Sequence, residues 1–178
     1  FVLRVSYGRI DKAKTFVEVK GIECYVPLRY KQIKKQGKKR IITEPLLSSF
    51  IFVHVTAEQV ENLLHDNKVA ANESRTLLSY YFNHTIHRQD NPDRNPPLTI
   101  RDEAMNNFIH LTSIKNPHII PVTSNNIQFK LGDNVVVTEG EFKGVHGRVA
   151  RIAGQQRVVV ELFDGCLVAT AYVPREAM

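Results

Sequence analysis

The sequence predicts an α+β fold: an N-terminal antiparallel sheet with flanking helices, followed by a small SH3-like all-β barrel. Three observations predict it. The most apolar run of the first half, Glu44 to Val55 (EPLLSSFIFVHV), stands directly behind the most basic run, Arg29 to Arg40 (RYKQIKKQGKKR). Segments with apolar residues at helical spacing lie on either side of these runs. Beyond residue 129 the helical period gives way to short strand-like segments divided by glycines.

Phe1 to Val5 reads as a strand. Ile10, Ala13 and Val17 recur at helical spacing with Phe16 beside them, and Gly21 supplies the stop signal. Arg9, Lys12, Lys14 and Lys20 give that helix a cationic outer surface. Glu23 to Ile33 alternates loosely around Pro27, which cannot donate to a ladder and marks an edge or a strand break. Gln36-Gly37 is the turn of a hairpin returning through Lys38 to Ile42, and six Lys or Arg lie between Lys31 and Arg40. Pro45 ends the hairpin. Leu46 to Val55 is too apolar for a strand with one wet face and is expected to be central in the sheet. Thr56-Ala57-Glu58-Gln59 is a capping box opening a helix whose stripe is Val60, Leu63 and Leu64.

Leu77, Leu78, Tyr80, Tyr81 and Phe82 supply a short last strand, and Gln89 to Pro97 a proline-rich loop. Thr99 is placed to cap a third helix carrying Ala104, Phe108 and Leu111 on one face. Lys115 to Gln128 has two prolines and no clean period, so it reads as a linker between domains at 1–114 and 129–178. The strands expected after it are Asn134–Thr138, Gly147–Ala153, Arg157–Leu162 and Leu167–Val173, which make a small barrel.

The formal charge of +6 is unevenly placed: residues 1–120 hold 18 Lys+Arg and 12 Asp+Glu, residues 121–178 hold 6 and 6. Any nucleic-acid contact is therefore expected in the first part. No run approaches the roughly 18 apolar residues of a membrane span, and no secretory signal is visible, so the expected compartment is the cytoplasm and no membrane partner is expected. Cys24 and Cys166 form no CxxC pair and read as free thiols. Two glycosylation triplets, at Asn72 and Asn83, are read as chance. His84 and His87 are the one close histidine pair and lack a supporting Cys or carboxylate pattern, so no metal is expected. With no phosphate loop and no GxSxG elbow, neither a cofactor nor an enzymatic activity is expected.

Gly132-Asp133 leads into Val135 to Val149 (VVVTEGEFKGVHGRV). Gly140, Gly144 and Gly147 lie in the turn after the first strand, where positive φ or close backbone approach is needed, and Phe142 anchors it. This spacing resembles the KOW motif of the NusG family of transcription elongation factors and of several ribosomal proteins. The first part carries the same likeness. Pro45, Leu46, Phe50, Phe52 and Val53 fill the places of the family's "P-L-x-x-x-Y-x-F-V" strand, with Phe50 in the Tyr position. The resemblance spans nearly the whole chain. Within the family it is nearer to the specialised paralogues of RfaH or UpxY kind, because Leu167 to Pro174 (LVATAYVP) is similar to the ending of UpxY proteins of Bacteroides-type bacteria, which act on capsular polysaccharide operons. The family's Trp near the first strand is absent, and Glu73 to Pro97 is longer than in general NusG.

The resemblance implies a transcription elongation or antitermination factor that catalyses nothing. It implies docking on the clamp coiled coil of RNA polymerase through an apolar depression formed by Leu47, Phe50 and Phe52, with Tyr80, Tyr81 and Phe82 as secondary members. Phe50 and Phe52 are expected to share a face. It also implies that the hairpin (Lys34, Lys35, Lys38, Lys39 and Arg40) and the first helix (Arg9, Lys12 and Lys20) approach upstream or non-template DNA. The neutral barrel favours a protein partner, for which the family offers Rho or a ribosomal protein. The Val158–Val160 run favours strands over a helical refolding of this part. General NusG action and a ribosomal-type KOW RNA-binding module are the competing readings.

Overall fold

The computed structural model describes residues 1–35, 37–70, 76–86, 95–123 and 128–178, with backbone only for 128–133. Gln36, the Asn72 triplet, His87 and most of the Gln89–Pro97 loop lie outside the described residues. The fold is mixed α and β: an N-terminal antiparallel sheet with helices, then a five-stranded all-β sheet of SH3-like kind. The backbone groups into two compact units, residues 1–26 with 47–100, and residues 27–46 with 101–178.

The first unit holds β1 (Val2–Val5), α1 (Ile10–Val19), β2 (Cys24–Tyr25), β5 (Phe50–Val53), α2 (Ala57–Ala70) and β6 (Leu78–Tyr80). Its sheet runs β2-β5-β1-β6, so β5 is an inner strand as its apolar sequence requires. Leu3, Val5, Ile51, Val53 and Leu78 form one face with Ile10, Ala13 and Val17 of α1 and Val60, Leu63 and Leu64 of α2.

Both helices end as their sequences dictate. Gly21, at φ 71°, lets its N–H reach Glu18 O (2.9 Å) and the Ile22 N–H reach Val17 O (3.4 Å), the paired bonds of a Schellman stop. At the start of α2, Thr56 N–H donates to Gln59 Oε1 (2.9 Å) and Gln59 N–H to Thr56 Oγ1 (3.3 Å), the expected capping box. The apolar run is shorter as a strand than Leu46 to Val55. Leu46 to Ser49 turn the chain from the hairpin into β5, and only Phe50–Val53 pair.

The second unit holds the hairpin β3 (Leu28–Lys35) and β4 (Lys38–Pro45), then α3 (Asp102–Ser113), β7 (Ile120–Val122), β8 (Gln128–Val136), β9 (His146–Ile152), β10 (Gln155–Phe163) and β11 (Cys166–Tyr172). Helix α3 begins later than a Thr99 cap would place it: Arg101 is the N-cap, without a side-chain bond, and Asp102 and Glu103 supply the acidic first turn. Phe108 and Leu111 are buried as expected. Four hydrogen bonds tie α3 and its C-terminal extension to the turn after β8 and to the first residue of β9. Asn107 bonds His146 both ways (Nδ2 to O 2.7 Å, N to Oδ1 2.9 Å), His110 Nε2 lies 2.9 Å from Lys143 O, and Asn116 Nδ2 donates to Glu141 at 2.6 Å.

The antiparallel sheet of this unit runs β7-β11-β10-β9-β8. Strands β9 to β11 are those expected, with ends shifted by one or two residues, whereas β8 begins six residues before the expected Asn134, at the last residue of the segment read as a linker. The segment read as a linker contributes β7, whose three residues are too few to show a period. Val137, Val145, Val158, Val159 and Val168 are at most 2% exposed. Burial holds the Cys166 thiol protonated, its pKa pushed up to about 12.

One buried polar side chain positions the last strand of the first sheet. Asn67 of α2, 2% exposed, accepts from Leu77 N (3.0 Å) and Leu78 N (3.2 Å) and donates to Leu78 O (2.9 Å). Asn67→Ala orphans these backbone groups, and the expected cost is roughly 1–3 kcal/mol. Thermal unfolding should show a Tm several degrees lower, with the β6 amides losing protection first.

Candidate functional site

Alternation along β5 sets the two sides of the first sheet. Ile51 and Val53 face the helices, so Phe50 and Phe52 share the other side, as expected. There Val2 lies opposite Phe52 and Arg4 opposite Phe50. Phe52 is only 4% exposed. Phe50 is half-buried and meets the half-buried Tyr81 edge-on, with ring centroids 4.9 Å apart at 70°. The Arg4 guanidinium stands 5.8 Å from the Tyr81 centroid, within cation–π range, and the His84 ring lies 5.5 Å from it. Leu47, half-buried, sits in the turn just before β5, its carbonyl accepting from Phe50 N at 3.5 Å.

Tyr80 does not join this group. It lies opposite Leu3 and packs on the helix-side core, where burial, reinforced by Glu61, pushes its phenol above the ordinary value. Phe82 is on the Tyr80 side, 6.1 Å from it ring to ring. One step along an extended chain changes the side, so Tyr80 and Tyr81 cannot serve the same face. Arg4 and His84 were missed by sequence reasoning. The alternation of FVLRV carried a signal for Arg4, the one charge in an apolar strand; nothing in the sequence marked His84.

The hairpin presents the expected cations in a register the sequence did not reveal. Lys35 pairs with Lys38 around a two-residue loop in which Gly37 takes φ 77°. This places Lys34 directly opposite Lys39 and Lys35 opposite Lys38. Both pairs and Arg40 are exposed, and none of the five forms an ion pair among the described residues. At the base the pairing is the reverse: Arg29 opposes Glu44 at 3.7 Å. Like charges directly opposite one another destabilise a ladder, so the tip carries a local strain that the base does not.

The helix cations divide. Arg9 is the N-cap of α1 and Lys12 is exposed on its first turn. Lys20, at the C-cap, is engaged elsewhere: its Nζ bonds Asp66 of α2 at 2.5 Å and holds that carboxyl below its usual pKa. In the second unit, the turn after β8 has the expected glycine geometry at Gly140 (φ 77°) and Gly144 (φ 87°), and Phe142 is its buried anchor at 4% exposure. Gly147 differs. It lies in β9 rather than in the turn, and a Cβ there would stand 2.6 Å from both Val158 Cγ1 and Val159 O. Close approach, not φ, requires the glycine.

No helix among the described residues is long and apolar enough to cross a membrane. No group of three or more His, Cys, Asp or Glu that could hold a metal occurs among them. Residues 1–109 match the NusG family, described as transcription termination factor nusG. The chain belongs to the NusG family. The match takes in the first sheet with both helices, the hairpin and most of α3, and the C-terminal sheet follows it. Membership gives this NusG-family chain a role in transcription elongation or termination, with RNA polymerase as its general partner.

The lysine register makes a test of its own. Lys39→Glu replaces a like-charge pair with an opposite-charge pair facing Lys34, and the hairpin should gain roughly 0.2–1 kcal/mol. Slower amide exchange at Ile33 and Ile41 checks it; unchanged or faster exchange contradicts the register effect.

Proposed function

We propose that this chain rides on transcribing RNA polymerase, docking on the clamp coiled coil through the face of Phe50, Tyr81, Leu47 and Arg4, with Phe52 as its floor, and suppresses pausing or termination. The observation that carries this reading is the half-buried Phe50–Tyr81 pair on the side of the first sheet away from its helices. A half-buried aromatic pair with a cation beside it suits an apolar partner helix with an acidic border. Tyr80, on the opposite side, has no part in it.

The hairpin tip contacts upstream or non-template DNA. Phosphates relieve the repulsion of the Lys34–Lys39 and Lys35–Lys38 pairs, and such contacts add affinity without reading sequence. Arg9 and Lys12 belong with this role more readily than Lys20, whose charge is already paired. The functional modules are residues 1–114 for polymerase and DNA and 129–178, a KOW barrel, for a protein partner such as Rho or a ribosomal protein. The likeness of Leu167 to Pro174 to UpxY endings favours operon-specific antitermination of capsular polysaccharide type over general NusG action.

Phe50→Asp places a charge in the docking face without touching the helix-side core. The variant should keep the wild-type circular dichroism spectrum, lose polymerase binding by at least about tenfold, and no longer shorten pauses on a run-off template. Full binding by a folded variant removes the face from consideration. Lys39→Glu should weaken DNA binding and lower the slope of log K against log salt by about one phosphate contact; an unchanged slope removes the hairpin from the DNA interface.

A further inference from the structure

Strand β7 is held at the edge of the C-terminal sheet by little of its own. It is three residues long, it pairs only with β11, and its central residue, Pro121, has no N–H to give the ladder. Ile120 and Val122 pack half-buried against the cluster that includes Val159, Leu167 and Ala169. Ile119, just ahead of β7, is buried at 4% exposure, and the polar attachment comes from one side chain. Arg157 Nη1 donates to His118 O and to Thr170 O, both at 3.0 Å, and Nη2 donates to Gln155 Oε1 at 3.0 Å. Beside the buried Ile119, a single guanidinium makes the polar tie between the segment ahead of β7 and β11.

That guanidinium is poorly compensated. Arg157 is 8% exposed, forms no ion pair among the described residues, and its buried Nε lacks a hydrogen-bond partner. Burial pulls its pKa below the ordinary arginine value. Neutral carbonyl and amide oxygens offset only part of the cost of taking a charge out of water. The closed arrangement lacks a carboxylate at the place where His118 supplies only its carbonyl.

We propose that residues 117–122 are a displaceable strap over the edge of β11, and that the strand which replaces it belongs to a protein partner and carries an acidic residue two positions before a pair of alternating apolar residues. Such a strand adds antiparallel to Leu167–Ala169, as β7 does. Its apolar side chains take the places of Ile120 and Val122. Any residue other than proline between them restores the missing N–H, and the carboxylate gives Arg157 the counter-charge that the strap does not. Only the identity of the occupant rests on the proposed protein-binding role of the barrel; the strap stands on its own contacts.

Hydrogen exchange on the full chain tests the strap first. In Ile120→Asp/Val122→Asp the β11 amides should exchange at least about tenfold faster, while the β9–β10 ladder keeps its protection. Unchanged β11 protection overturns the strap. If the double variant loses the β9–β10 ladder as well, His118→Asp in the otherwise unaltered chain decides. It should slow β11 exchange at least about threefold by pairing with Arg157, an effect that Arg157→Gln abolishes; no slowing overturns the latch. The occupant is tested on the released variant with the peptide NPDIIVVTS and its neutral analogue NPNIIVVTS. The acidic peptide should bind at least about fivefold tighter, and tighter to the variant than to the wild-type chain. Equal affinities, no binding, or self-association of the variant in place of peptide binding overturn the proposed partner.

Discussion

The first unit depends on the antiparallel pairing of β1 with β5. Three register pairs, Val2 with Phe52, Leu3 with Ile51 and Arg4 with Phe50, decide which side chains become core and which become surface. Because the side-chain period of a strand is two, this register is protected by the burial of Leu3, Val5, Ile51 and Val53 against α1 and α2: a slip of one residue would turn all of them to the other side. The aromatic pair at Phe50 and Tyr81 is therefore a consequence of the core. Asn67 extends the same logic to β6, fixing Leu78 inward and so delivering Tyr81, three residues on, to the side of Arg4 and Phe50.

The hairpin shows the opposite balance between stability and use. A fold optimised for stability alone would alternate charge across a ladder, as Arg29 and Glu44 do at its base. At the tip, the two-residue loop aligns lysine with lysine twice. A hairpin can bear this because the tip is solvated and screened, and each repulsive pair becomes a site where an anion is welcome. The cost in folding and the proposed gain in anion binding come from the same two register pairs.

Much of the fold was legible in the sequence because it rests on local chemistry. The Schellman stop at Gly21, the Thr56–Gln59 capping box, the Gly37 turn and the four long strands after residue 129 are written in residue types at fixed spacing. The less legible parts depend on partners remote in sequence. Strand β7 exists because β11 offers an edge, and Gly147 is required by Val158 and Val159, eleven and twelve positions away. The candidate docking residues were half legible. Alternation placed Phe50 with Phe52, but Tyr80 and Tyr81 could not be told apart until β6 had a register, and Lys20 could not be set aside until Asp66 was beside it. The lysine-against-lysine alignment needed only the turn length, and was the one tertiary feature available in principle from the sequence.

The central claim is that one side of the first sheet, and not the other, meets RNA polymerase. A photo-crosslinking amino acid placed in turn at Phe50, Tyr81 and Tyr80 tests it most directly, with each variant added to stalled elongation complexes. Crosslinks to a polymerase subunit are expected from positions 50 and 81 and not from position 80. Crosslinking from position 80 with none from position 50 would contradict the assignment of the face.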